Sequence, residues 1–199
     1  MNKGRLEAFS DGVFAIIITI MVLELRVPVG DHLTDLTPVI PVFLSYMLSF
    51  VYVGIYWNNH HHMLYAVDRI NGAVLWANLH LLFWLSLIPF VTGWMGENHF
   101  TRWPVVLYGV VLIMNAIAYT VLCWLLIKEE GPGSRLAVAL GQDWKGKLSL
   151  AIYLVAVALA FYQSWLAISL YAVVSVIWFI PDRRIEKILS SKGSAQDEP

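Results

Sequence analysis

The sequence predicts an all-α membrane protein with six transmembrane helices in a single repeat. Three observations carry that prediction. The 199 residues are 59% hydrophobic and only 14% charged, against about 45–50% apolar and about 25% charged in a soluble domain, and mean hydropathy is +0.67. The apolar residues gather into runs close to the roughly 20 residues that carry a helix across a bilayer. On a six-helix path, eleven of the 13 basic residues then fall on one side.

The first helix is predicted at about 7–26, closed by Arg26 and Pro28. Lys3 and Arg5 ahead of an apolar run resemble a secretory leader. Asp11 interrupts that pattern and no small-x-small cleavage site follows Leu25, so the helix is expected to be retained. The second helix, about 38–65, begins near Pro38 and Pro41 and ends in Asn58-Asn59-His60-His61-His62. The third is predicted at about 72–95 and the fourth at about 103–127. The fifth, about 147–162, and the sixth, about 164–181, are short and joined tightly at Gln163-Ser164, which makes them an antiparallel hairpin. Trp57, Trp94, Trp103, Trp144, Trp165 and Trp178 lie near predicted ends, where interfacial aromatic belts form.

The connection 128–146 reads as a polar loop with a surface helix around 134–140, and the polar residues 190–199 are expected to be disordered. Residues 1–189 then form one membrane domain. The single Cys123 sits in an apolar run and suits a small buried residue. A formal net charge of -1 offers nothing to nucleic acid.

Orientation follows from the basic residues. Lys3 and Arg5, Arg69, the group Lys128, Arg135, Lys145 and Lys147, and the tail with Arg183, Arg184, Lys187 and Lys192 share one side. Only Arg26 and Arg102 lie opposite, with Asp31, Asp35 and Glu97. The positive-inside rule places both termini in the cytoplasm.

The first helix carries the most information. Ser10 and Asp11 stand at the mouth of an otherwise apolar segment. An Asp at a helix centre costs about 2.5–3.5 kcal/mol on insertion scales, so such a residue must face protein or water. Ile16, Thr19, Ile20 and Leu23 share one stripe at helical spacing. At about 100° per residue, Asp11 lies about 140° from Ile16 and Ser10 about 120° the other way. If the stripe lines a pore, the Ser-Asp pair turns back into the subunit. The stripe would then present rings of branched apolar side chains, which can gate by dewetting, and one hydroxyl ring, which can replace part of an ion's hydration shell. An aliphatic stripe equally suits lipid contact or core packing, and a membrane threonine often back-bonds its own helix.

Three consecutive histidines invite a metal reading. Neighbouring helical residues diverge by about 100°, so one helix cannot aim His60, His61 and His62 at one ion, and no structural metal site is expected. A buried hydrogen-bond network fits better, joining Arg5, Phe9, Ser10 and Asp11 of the first helix to His60, His61, Asn78 or His80. A solvated position at the membrane surface is the alternative for the histidines. Glu24 and Arg26 mark the outer end, either as a charged mouth or as a solvated one.

Arg5-x-x-x-Phe9-Ser10-Asp11, the spacing onward to Ile16, Thr19, Leu23 and Glu24-Leu25, the element Tyr56-Trp57-Asn58-Asn59-His60-His61, Asn78-Leu79 and Pro89-Phe90 together resemble the transmembrane protein 175 family. These are the endolysosomal potassium channels and their bacterial relatives. His62 falls outside the family pattern. The resemblance implies a potassium-selective channel in which a single six-helix repeat assembles as a homotetramer and the first helices line a central pore. It implies a hydrophobic constriction at Ile16 with Ile20 and Leu23 as further apolar rings, and a selectivity-linked hydroxyl at Thr19. Potassium ions would pass near Thr19 and Ile16, with no other cofactor. It places the protein in a bacterial inner membrane.

The chain has no Thr-Val-Gly-Tyr-Gly loop and no arginine ladder. Two rivals remain. One is a proton leak through the same pore. The other is a secondary transporter, for which Pro89 is the main helix break and a second repeat is missing. An enzyme is not expected, because adjacent Ser and Asp diverge on a helix and cannot converge with a histidine.

Overall fold

The computed structural model describes residues 3–141 and 143–179, and within them every regular element is helical. The helices are α1 (Lys3–Leu23), a 3-10 turn (Leu33–Val39), α2 (Ile40–Tyr65), α3 (Gly72–Ser86), α4 (Ile88–Glu97), α5 (Arg102–Glu130), α6 (Arg135–Leu140), α7 (Trp144–Ala160) and α8 (Ser164–Phe179). The proposed tail 190–199 lies outside the described residues.

Among the described residues, four helical stretches are long and apolar enough to cross a membrane: Lys3–Leu23, Leu33–Tyr65, Gly72–Glu97 and Arg102–Glu130. At 1.5 Å per residue, the 21 residues of α1 extend about 31 Å, matching a hydrocarbon core of about 30 Å. Large apolar side chains face outward on nearly every helix, including Trp76, Phe90, Trp103 and Val176, as they do when the surrounding solvent is lipid.

The observed ends differ from the expected ones for identifiable reasons. α1 is already helical at Lys3, the first described residue, whose ammonium donates to the Val67 carbonyl at 2.8 Å and lies 3.8 Å from Glu7 one turn on. The second helix is preceded by the 3-10 turn, in which Asp35 accepts from the His32 amide at 3.1 Å. Pro41 follows in the first turn of α2, where its missing N–H costs nothing.

The third predicted helix divides into α3 and α4 at Leu87. Pro89 has no N–H to offer the turn before it. The Leu87 amide tightens onto the Trp84 carbonyl at 3.3 Å, and the Asn115 amide of α5 reaches the same carbonyl at 3.4 Å. A neighbouring helix thus adds a second donor to a carbonyl at the break, where the regular helical pairing ends.

α5 is the central helix. It packs against α3, α4, α7 and α8, while α2 joins α1, α4 and α8. Its C-terminal carboxylates strap down the α2–α3 turn: Glu130 accepts from the Asp68 and Arg69 amides at 2.7 and 2.6 Å, and Glu129 accepts from the Asn71 side chain at 2.6 Å. Asn71 in turn caps α3 by accepting from the Val74 amide.

Close approach at the centre depends on Gly109. A Cβ there would strike the Tyr171 hydroxyl of α8 and lie 2.6 Å from Val157 Cγ2 of α7. That hydroxyl donates to the Val105 carbonyl at 3.2 Å. Gly109→Ala is therefore expected to overpack three helices and loosen this bond, at about 1–3 kcal/mol. Thermal unfolding in detergent checks this: a midpoint several degrees lower is expected, and an unchanged midpoint would mean that the helices separate freely.

Candidate functional site

Helix α1 has two unlike faces. Leu6, Ser10, Phe14, Ile17 and Met21 are buried, at spacings of three and four residues. They turn toward α2, α3 and α4. The opposite face carries Ile16, Ile20 and Leu23, exposed by 57%, 43% and 79%, with Thr19 exposed between them. The helical period had separated these faces, and the structure keeps all four of the stripe residues together.

Thr19 donates its hydroxyl proton back to its own helix, 3.1 Å from the Ala15 carbonyl and 2.9 Å from that of Ile16. With the proton so engaged, the oxygen keeps its acceptor lone pairs. It can offer them to a cation but cannot donate to an anion while those bonds hold.

The buried face holds a polar chain. The Asn78 side-chain amide of α3 donates to Ser10 Oγ at 3.0 Å. Its carbonyl oxygen is 2.7 Å from His60 Nε2 of α2. In this arrangement Nε2 carries the proton, because an amide oxygen can only accept. Ser10 and Asn78 are fully buried and His60 is 1% exposed. The His60 ring also packs against Phe14, with centroids 5.6 Å apart. Three helices therefore meet at one buried chain of hydrogen bonds.

The other expected members of this network stand elsewhere. Asp11 does not turn inward with Ser10. It accepts from Trp57 Nε1 of α2 at 3.0 Å, on the exposed side. Residues one apart on a helix point about 100° apart, so the pair cannot share a partner. His61 stacks on Trp57 and on Tyr65 instead of entering the buried chain. Arg5 and Phe9 are exposed on α1. His80 accepts from Trp84 Nε1 at 2.9 Å. The role of Trp57 was missed, since its place in a belt of tryptophans gave no sign of a carboxylate partner. At the far end of α1, Arg26 pairs with Glu97 at 2.9 Å in an exposed contact, and Glu24 lies beside Gly93. Among the described residues no three histidine, cysteine or carboxylate side chains converge to hold a metal.

Comparison with known proteins agrees with this architecture. Residues 5–89 match the family described as endosomal/lysosomal potassium channel TMEM175. A potassium channel of Chryseobacterium sp. (strain P1-3) is 56% identical over 189 residues, which is 95% of this chain and 98% of that one. The endosomal/lysosomal proton channel TMEM175 of Homo sapiens is 31% identical over 116 residues, 52% of this chain and 23% of the human protein. The crystal structure of a lysosomal potassium-selective channel TMEM175 homolog from Chamaesiphon minutus superposes with a TM-score of 0.78 at 30% identity, covering 89% of this chain and 96% of that one. By sequence and by fold, this multi-pass membrane protein belongs to the TMEM175 family.

Proposed function

We propose that this protein is a potassium channel that lets ions flow passively down their gradient. The observation that carries the reading is the outward stripe of α1, in which one exposed hydroxyl sits among Ile16, Ile20 and Leu23, opposite a buried polar anchor. One such stripe cannot enclose a path alone. Four copies around an axis would bring four α1 helices together, with Ile16 and Leu23 as apolar constrictions and Thr19 as the ring that meets dehydrated potassium. The homotetramer, the constriction and the potassium position near Thr19 and Ile16 are parts of this one reading.

Six membrane crossings follow if α3 and α4 act as one span and α7 and α8 each cross. Their 17 and 16 residues sit at the lower limit of about 17 for a spanning helix. The arrangement suits a bacterial plasma membrane with both termini in the cytoplasm, where most basic residues then lie.

The test is the reversal potential of purified protein in a planar bilayer, with potassium on one side and sodium on the other. A reversal close to the potassium equilibrium potential is expected. A reversal near zero would remove selectivity from the reading, and silence in bilayers shown to contain protein would remove conduction. The human relative's name favours one second reading, proton conduction. It predicts that the reversal follows a pH gradient when an impermeant cation replaces potassium.

A further inference from the structure

A second feature lies away from α1, among α2, α5, α7 and α8. There a cavity of about 150 Å³ is walled by the rings of Tyr52, Tyr56, Tyr119, Tyr153 and Trp178, with Asp143 at its edge. A cavity of about this volume accommodates a benzene molecule. The rings are held in place. Tyr52 and Tyr153 lie 6.3 Å apart, Tyr56 meets Tyr119 edge-on at 6.1 Å, and the Trp178 indole donates to Ser149 Oγ at 2.8 Å.

The polar atoms of the lining have one bias. Asn59 spends an amide proton on the Ile55 carbonyl, Thr120 donates to the Ala116 carbonyl, and Ser149 donates to the Lys145 carbonyl, each at 2.8 Å. Their oxygens remain as acceptors, and so does that of Tyr52, whose hydroxyl proton goes to the Tyr171 carbonyl. Asp143 adds a carboxylate that is only partly exposed. It caps α7 by accepting from the Gly146 amide at 3.2 Å, with its own backbone at φ 41°. Burial pushes its carboxyl above the usual carboxylate range, against the pull of that amide and of Lys147. Lys147 also borders the cavity but is exposed. Among the described residues it makes no ion pair with Asp143 within 4.0 Å. Acceptor oxygens, a half-buried carboxylate and aromatic faces together describe a host for a cation with an apolar body.

We infer that this cavity binds a compact organic ammonium, its charge against Asp143 and its body against the rings of Tyr56, Tyr119, Tyr153 and Trp178. The site is separate from α1 and does not depend on how the pore conducts. The ammonium can come from a free amine or from the head group of an ethanolamine lipid at the membrane surface.

Benzylammonium and benzyl alcohol have nearly the same shape and differ in charge, so they are the probes. Each is titrated calorimetrically into the protein in phosphatidylglycerol nanodiscs, with protein-free discs subtracted. Saturable binding of benzylammonium, at least about tenfold tighter than benzyl alcohol, is expected from a charge contact and cation–π stacking. Asp143→Asn keeps a helix cap, since Asn ranks with Asp there, and it should abolish that preference. Ala116→Phe should fill the cavity and weaken both probes. Competition by added phosphatidylethanolamine would identify the lipid head group as the source, and its absence would identify a soluble amine; either result keeps the cation site. Equal affinity for the two probes, or unchanged benzylammonium affinity in Asp143→Asn, would overturn the inference.

Discussion

Replacing Asn78 with leucine is expected to destabilise this protein more than any other single change in the α1 anchor. Leucine nearly matches asparagine in shape but can neither donate to Ser10 Oγ nor accept from His60 Nε2, the two bonds now made at 3.0 and 2.7 Å. Both partners are buried, so water cannot replace what is lost. A buried polar group left unpaired costs about 1–3 kcal/mol, which gives about 2–6 kcal/mol for the two together. That is a large share of a typical stability of about 5–15 kcal/mol. Ser10→Ala should cost less, because it strands only one amide proton of Asn78 and leaves the bond to His60 intact. Thermal unfolding of the purified variants reads the order directly. A melting point for Asn78→Leu equal to that of the native protein would mean that packing, and not this polar chain, holds α1 in place.

The sequence made some of this arrangement legible. The 3.6-residue period separates Ser10 from Ile16, Thr19 and Leu23 without any tertiary information, and the structure buries the first and exposes the others. Asn78 and His60 stood out because an amide and an imidazole within apolar runs must find partners. What the period cannot give is the partner itself. Asp11 pairs with Trp57 because α2 passes beside α1 at that height, a fact of packing and not of spacing. The hydroxyl chain Tyr108–Ser49–Thr92 and the bond from Tyr52 to the Tyr171 carbonyl at 2.6 Å were equally hidden. Tyrosine, serine and threonine blend into apolar runs, and their polar tips acquire meaning only when another helix arrives. The break at Leu87 was legible from Pro89, whereas the approach of the Asn115 amide to the Trp84 carbonyl beside it was not.

Ile16→Asn is expected to raise potassium current, and on the channel reading it has the largest functional effect of any substitution in α1. Ile16 is 57% exposed on the outward stripe, one turn before Thr19 Oγ1 with its acceptor lone pairs. A ring of branched hydrocarbon gives a dehydrating ion nothing in exchange for its water, whereas a ring of amides offers oxygens and tolerates water. Lowering the barrier by only about 1.4 kcal/mol would raise the current about tenfold. The substitution lies on the face of α1 opposite the Ser10–Asn78–His60 chain, so the fold should tolerate it. Thr19→Ala provides the contrast. It removes the one acceptor ring among apolar ones, and it should shift the reversal potential away from potassium without a comparable gain in current. Bilayer recordings of both variants beside the native protein separate the two roles. If Ile16→Asn left the current unchanged while Leu23→Asn raised it, the constriction would lie two turns further along the helix. If neither changed it, the outward stripe of α1 would face lipid, and the conduction path would have to be sought on another helix.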